Sequence, residues 1–597
     1  MDMKQFLPLV NETMQAFNPF YREAMRKAIE DSGSPDNWFA LSLARGRDPA
    51  PFTAEQYQAM FPYTALERFT EALEELAQLE LLERVAEKAY QLTDLGREAV
   101  ADIFDAAQQA MEKIEALPTD EMDRLNSLLY RVVEATLAAP EPKEKWALIC
   151  SRWTDPGESA SGSVKTDQYL TDLLRYRDDA HIAAWKPYSV NGHTWEALTL
   201  IWQDEAHTAE EVIEQRPRRG HSVEDYQAAL QDLTARGWVA EENGAYNITA
   251  EGKQVREQAE EATERNFYVG WSALSEDELT ELKDLLTRAT DNLRATARDQ
   301  LWGVAREVSQ AIYPVTRDVL DPLFEKYGLD KPGLFHVLLS AQRVAPDPIS
   351  TARLGIRDPY TKPGKYDELL AALTEAGFLA SKGDGEYELT EKGHEALQET
   401  HHAFYTRLGE MPVLPEENMA QLEGLLNRLA EASLEAPEPA EKWGTATTHQ
   451  GHPSQEYAAL ARIDRHLDDL NAFRDDAHLA AWKPHAADGR AWEALTFVWR
   501  GDAHTAEELV EKLTFRSHTA ETYEQVLAKL AGRGWVEKTV DGYRVTDEGQ
   551  ALRQGAEDAT NRYFFAPWAC LSDFENAQLL GLLTQLRDNL REMAEDN

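Results

Sequence analysis

The sequence predicts a mainly α-helical chain with small β-hairpins, and three observations predict it. Segments with apolar residues at helical spacing dominate the chain, "SVEDYQAALQDLTARGW" (222–238) being typical. The pattern Tyr-x-x-Thr-x-x-Gly occurs four times, at Tyr90, Tyr246, Tyr387 and Tyr543, each time after a leucine-striped segment. Long passages also recur at a fixed distance: "RDDAHIAAWKP" from Arg177 returns 297 positions later as "RDDAHLAAWKP" from Arg474. A repeat of that length makes the two halves tandem copies. Within each half a fainter repeat relates Phe69, Leu73, Leu76 and Tyr90 to Tyr226, Leu230, Leu233 and Tyr246.

The elements follow in order. "TWEALTLIW" (194–202) has helical apolar spacing, and "TAEEVIEQ" opens a second helix with a threonine cap and early glutamates. In 222–238 a third helix lines up Val223, Tyr226, Leu230 and Leu233 and ends at Gly237. "WVAEENGAYNIT" is a two-stranded ribbon around Asn-Gly. Long helices then run from Ala250 to Thr296, with a break near "WSALSEDEL". Three helices followed by a ribbon make a winged helix. The repeated motif is the wing's return strand, with Tyr packing inward, Thr capping the next helix and Gly allowing a close approach. The expected architecture is four winged helix-turn-helix units joined by long helices, at 1–150, 166–297, 298–447 and 455–597, arranged as two tandem pseudo-dimers.

A chain of 597 residues, 43% hydrophobic and 28% charged, suits several ordinary globular domains. No basic leader with an apolar core opens it, and no apolar run is long enough for a membrane span, so a cytoplasmic protein without membrane contact is expected. Cys150 and Cys570 are too far apart in pattern to suggest a disulfide framework or metal knuckle. The net charge of -45 opposes long-range attraction to nucleic acid unless positive charge is concentrated locally.

"QDLTARGWVAEENGAYNITAEG", its three counterparts and the closing helices of the type "LSEDELTELKDLL" (from Leu274) resemble the MarR (multiple antibiotic resistance regulator) family of winged-helix transcription factors. The resemblance spans nearly the whole chain. It implies two winged helices side by side on double-stranded DNA, dimerised through terminal helices, so that each half looks like a fused dimer; a monomer or a homodimer would follow. The 177–271 block also resembles a less characterised set of actinobacterial winged-helix proteins. The family's Asp-x-Arg in the wing is missing from all four units, and the first reading helix sets Glu67, Glu71, Glu74, Glu75, Glu80 and Glu83 against Arg68.

Positive charge gathers instead in the turns before the reading helices. Arg216, Arg218, Arg219 and His221 precede the second, Arg353, Arg357, Lys362 and Lys365 surround the start of the third, and Arg516 and His518 precede the fourth. There arginines could clamp phosphates; the plain alternative is a solvated turn that offsets nearby acids. Asp178 and His181 share a helix face with Trp185 one turn on, and this segment offers two ligands where a metal needs three or four. His207 and His504 look like helix-entry residues rather than a third ligand. Such a group either fixes helix packing or lines a pocket for a small aromatic ligand, with His181, Trp185, Trp195 and Trp202 in one half and His478, Trp482, Trp492 and Trp499 in the other. MarR relatives commonly hold effectors in that region.

No Gly-rich phosphate loop, Gly-x-Ser-x-Gly elbow or His-Glu-x-x-His is present, so no enzyme and no cofactor is expected. The expected function is a MarR-like DNA-binding regulator, with a response to an effector as its further expectation. Two alternatives stay open: an acidic scaffold for a protein partner, and a sensor of a small aromatic ligand.

Overall fold

The structure, a computed structural model, describes residues 2–33, 36–450, 456–485 and 488–595. It is mainly helical, and the strands among the described residues form two-stranded antiparallel hairpins. The chain divides into two compact units, Met1–Ala297 and Arg298–Asn597. Among the described residues no helix is long and apolar enough to cross a membrane.

In the first unit, helices Trp38–Arg45, Ala54–Met60 and Leu66–Gln78 precede the hairpin Leu82–Ala86/Ala89–Leu92. Leu41, Tyr57, Leu73, Leu76 and Leu92 close a small core between them. The second assembly has Gly192–Trp202, Ala209–Gln215, Val223–Ala235 and the hairpin Val239–Glu242/Ala245–Ile248, around Trp195, Leu198, Tyr226, Leu230 and Leu233. Local chemistry fixes the helix starts: Thr208 with Glu211, and Ser222 with Asp225, form reciprocal capping boxes. Asn243 (φ 55°) and Gly244 (φ 85°) supply the two left-handed residues that a tight hairpin turn requires.

The repeated motif does what its residues predict at Thr and Gly. Thr249 accepts the Gly252 N–H and donates to the Gly237 carbonyl at 2.6 Å, capping the helix Ala250–Phe267. A Cβ on Gly252 would lie 2.0 Å from the Trp238 carbonyl oxygen, and at Gly96, Gly393 and Gly549 the nearest carbonyl would lie at 2.0–2.4 Å. The tyrosines differ from expectation: Tyr90 and Tyr543 are buried, while Tyr246 and Tyr387 are half-buried. What the four share is backbone pairing. Tyr90 exchanges two bonds with Phe52, and Tyr387 two with Ile349; the Tyr246 and Tyr543 N–H groups donate to the His207 and His504 carbonyls. A segment ahead of the second helix thus joins each wing, through a single-residue bridge at Phe52 and Ile349 and through one hydrogen bond at His207 and His504.

A larger central core joins the two winged helices of the unit. Helices Phe6–Asp31, Thr119–Ala138, Gly162–Trp185, Ala250–Phe267 and the start of Glu276–Tyr327 pack together through Phe6, Phe17, Leu129, Tyr176, Phe267, Trp271 and Leu286. The hydroxyls of Thr13 and Thr290 meet inside it at 2.7 Å, and Arg124 pairs with Glu281 at 2.7 Å on its surface. Helices from residues 1–150 and from 166–297 therefore contribute to one core.

The second unit has the same succession: Leu334–Val344, Thr351–Arg357, Pro363–Glu375 and hairpin Leu379–Gly383/Glu386–Leu389, then Gly489–Arg500, Ala506–Lys512, Ala520–Gly532 and hairpin Val536–Thr539/Gly542–Val545. Its central core includes Ala459–Trp482, Asp547–Phe565 and Asp573–Glu595.

Candidate functional site

Within each unit the two winged helices touch at the ends where their reading helices begin. The Ala65 N–H, one residue before the helix Leu66–Gln78, donates to the Arg219 carbonyl at 2.9 Å, and the Lys362 N–H donates to the Arg516 carbonyl at 3.1 Å. His221 Nε2 lies 3.1 Å from the Tyr63 carbonyl, and His518 Nε2 2.8 Å from that of Tyr360, so these nitrogens carry the proton. The contact leaves no room for a side chain: a Cβ on Gly192 would sit 1.9 Å from the Pro62 carbonyl oxygen, and one on Gly489 2.4 Å from that of Pro359.

Ion pairs, mostly within one winged helix, engage most of the positive charge that the turns carry. Arg219 pairs with Glu196 at 2.8 Å and stacks over Tyr63, and Arg216 lies 3.5 Å from Glu196. Arg516 binds Asp358 at 2.9 Å and Glu493 at 2.8 Å. Arg353 pairs with Asp347 at 3.0 Å and Arg357 with Asp475 at 3.3 Å. Arg218 and Lys362 are exposed and Lys365 is half-exposed, and among the described residues none of the three makes an ion pair.

Beneath the docked turns lies a cavity, present in both units. In the first it measures about 460 Å³ and is lined by Tyr63, Asp178, His181, Trp202, Arg219 and Arg256, among others. In the second it measures about 690 Å³, and Tyr360, Asp475, His478, Arg516 and Arg553 stand at the corresponding places. The helix Gly162–Trp185 builds the floor, and its "RDDAHIAAWKP" passage contacts everything around it. Arg177 reaches Glu260 at 3.5 Å, and Asp179 accepts the Ala147 and Leu148 N–H groups at 3.0 Å each. Trp185 Nε1 donates to the Tyr63 hydroxyl at 3.0 Å. Of the tryptophans named from the sequence, Trp202 lines the first cavity and Trp492 the second; Trp185 and Trp195 stack 5.9 Å apart behind the first, and Trp482 stacks on Trp492 at the same distance.

Two groups give the cavity its chemistry. Arg256, 2% exposed, lies between the Trp195 and Trp202 rings at 4.6 and 5.0 Å and pairs with Glu260 at 2.7 Å. Its Nε and Nη1 have no hydrogen-bond partner among the described residues. A buried guanidinium with spare donors attracts an anion. Arg553 likewise lies over Trp492 and Trp499 and pairs with Glu557 at 2.9 Å, but its Nε donates to the Thr496 hydroxyl at 3.0 Å. The second group is His181, whose pKa burial lowers to about 3, with Arg177 and Arg256 adding to the effect; its counterpart His478 is lowered to about 4. His181 Nδ1 is 3.3 Å from the Thr263 hydroxyl, which itself donates to the Ala259 carbonyl. The neutral ring therefore donates through Nδ1, leaving Nε2 an acceptor.

His207 and His504 stand at helix entries, as their sequence position suggests, each with Nδ1 near a wing carbonyl. No group of described residues could hold a metal ion. Tyr63, Thr199, Arg256 and Glu260 were not singled out by motif, although every one has an identical residue 297 positions on.

The model of a helix-turn-helix family matches residues 168–299 and 394–594, more than half of the chain. The chain belongs to this helix-turn-helix family. No curated protein and no solved structure matches it. The family match begins within the helix Gly162–Trp185, at residue 168, and covers the helix Ala459–Trp482 entirely, so the "RDDAH" passage of each cavity floor falls within the matched part.

Proposed function

We propose that this chain is a ligand-responsive, MarR-like regulator of its helix-turn-helix family, with each unit a fused pair of winged helices holding a small organic molecule under the docked turns. The observation that carries this reading is recurrence: Tyr63, Arg177, Asp178, His181, Arg256 and Glu260 reappear as Tyr360, Arg474, Asp475, His478, Arg553 and Glu557 around a second cavity. A guanidinium held between indole rings, beside a neutral imidazole acceptor, suits an aromatic acid.

DNA is the output that family membership favours, and the geometry restricts how it is read. Paired reading helices that enter successive major grooves sit about 34 Å apart. Here the starts of the two reading helices of a unit are one hydrogen bond apart, so a unit in this state offers a groove at most one of them. A molecule in the cavity that lies against Tyr63 and Arg219 touches both sides of that joint, which is how occupancy would reach the reading helices.

The test is anisotropy of a labelled duplex across a salt series, with and without benzoate, alongside tryptophan fluorescence. We expect affinity that falls steeply with salt and changes with benzoate, which also perturbs the tryptophans. Weak, salt-insensitive DNA binding would remove the DNA output; unchanged fluorescence would remove the ligand. A second reading, a scaffold for a basic protein, is favoured by the exposed carboxylates Glu67, Glu71, Glu74 and Glu75 on the first reading helix. A partner retained in pull-downs after nuclease treatment supports it.

A further inference from the structure

The two cavities share a floor and differ at the rim. Arg343 stands where the first unit has Gly46, Arg357 where it has Met60, and Arg500 where it has Gln203. The matching ion pairs Arg294–Glu12 and Arg591–Glu307 align Arg306 with Asn11. Against these four guanidiniums the second cavity gains one carboxylate at the corresponding places, Asp358 for Phe61. Seven arginines and four acids line it, whereas three arginines and two acids line the first.

The extra charges are not all consumed within the protein. Arg343 lies 3.3 Å from Asp468, and Arg357 lies 3.3 Å from Asp475. Arg306 and Arg500 are exposed at the rim, and among the described residues neither forms an ion pair. In a chain of net charge -45 most of the surface repels anions. A concave site with surplus guanidinium is the exception, because low-dielectric walls strengthen its field. Trp302, Trp443 and Trp492 supply flat apolar wall, and the extra volume leaves room for a larger head group.

We infer that the cavity of the second unit is a site for a small aromatic dianion, and that the first takes a monoanion. This rests on the reading of both cavities as ligand sites. The shared chemistry is a doubly charged head on a flat body, either a phosphate monoester or paired carboxylates. Its charges meet Arg306 and Arg500 while the ring lies against the tryptophans.

Calorimetric titration of the full chain with benzoate, phthalate and phenyl phosphate tests this. At least one dianion should bind one site per chain about tenfold or more tighter than benzoate, and which one does so separates phosphate from dicarboxylate. The double variant R306N/R500Q, which installs the first unit's residues, should erase that margin. The benzoate site of the first unit contains neither residue and should keep its affinity. Both substitutions are at exposed positions, and an unchanged melting curve shows that the variant folds. Benzoate binding without a dianion preference overturns the inference alone, as does a margin that survives in the double variant. Failure of all three compounds to bind overturns the reading of the cavities and this inference with it.

Discussion

Asp179 and His181, two positions apart on one helix, are pushed in opposite directions by the same burial. Desolvation raises the Asp179 carboxyl to about 6, against the two N–H bonds it accepts, and lowers the His181 imidazole to about 3. The folded state therefore takes up the Asp179 proton before the unfolded chain does, and this contribution to stability grows as pH falls from about 6. The histidines act in the other sense. Unfolded histidine protonates near pH 6.5, whereas folded His181 and His478 wait until about 3 and about 4, so stability is lost as pH falls below 6.5. The double variant H181Q/H478Q should accordingly lose less Tm between pH 7 and pH 5 than the unaltered chain, as followed by circular dichroism. Equal losses would show that the two imidazoles are not held neutral. The helix-face pairing of His181 with Asp178 was legible at residue scale. The groups that give His181 its role, Thr263 and Arg256, come from a helix about 80 residues away, and local spacing carries no information about them.

At the scale of elements, the wing shows how much a short motif encodes. Thr249 and Gly252 act through their nearest neighbours in sequence and across one turn, and both roles could be read from the motif. Gly252→Ala puts a methyl group 2.0 Å from the Trp238 carbonyl, a collision between two pieces of backbone. It should lower Tm more than Gly244→Ala, where the left-handed backbone costs roughly 1–2 kcal/mol and nothing lies within contact distance. Thermal melts of the two variants decide the order, and the reverse order would mean that the helix start is not packed against the strand. Tyr246 is less buried than its motif suggested; what it shares with the buried Tyr543 is the backbone bond to a histidine ahead of the second helix, His207, from a different element. The arginine turns misled for a related reason. Arg219 and Arg516 look like phosphate clamps in isolation, but Glu196 and Glu493 of their own winged helices pair with them and the adjoining winged helix brings Tyr63 and Tyr360 against them.

At the scale of the molecule, the 297-residue repeat announced two copies, and the structure has two compact units that meet at Ala297 and Arg298. Each has its own central core and two satellite cores, so the pieces 1–297 and 298–597 should each fold alone. Expressed separately, each should retain its helical circular dichroism and melt cooperatively; a piece that stays unfolded would show that the units depend on each other. The cavities were the least legible feature, since they arise where three separately encoded assemblies meet. The nearest thing to a signal was identity between the halves at Tyr63, Arg256 and Glu260, residues that no motif contains.

Carrying both cavities on one polypeptide has an evolutionary consequence. In an assembly of identical subunits every substitution alters all equivalent sites together, so a new specificity displaces the old one. Here a change such as glycine at 46 against arginine at 343 alters one site and spares the other. A single gene product can thereby keep an ancestral preference in one half while the other half explores a different chemistry.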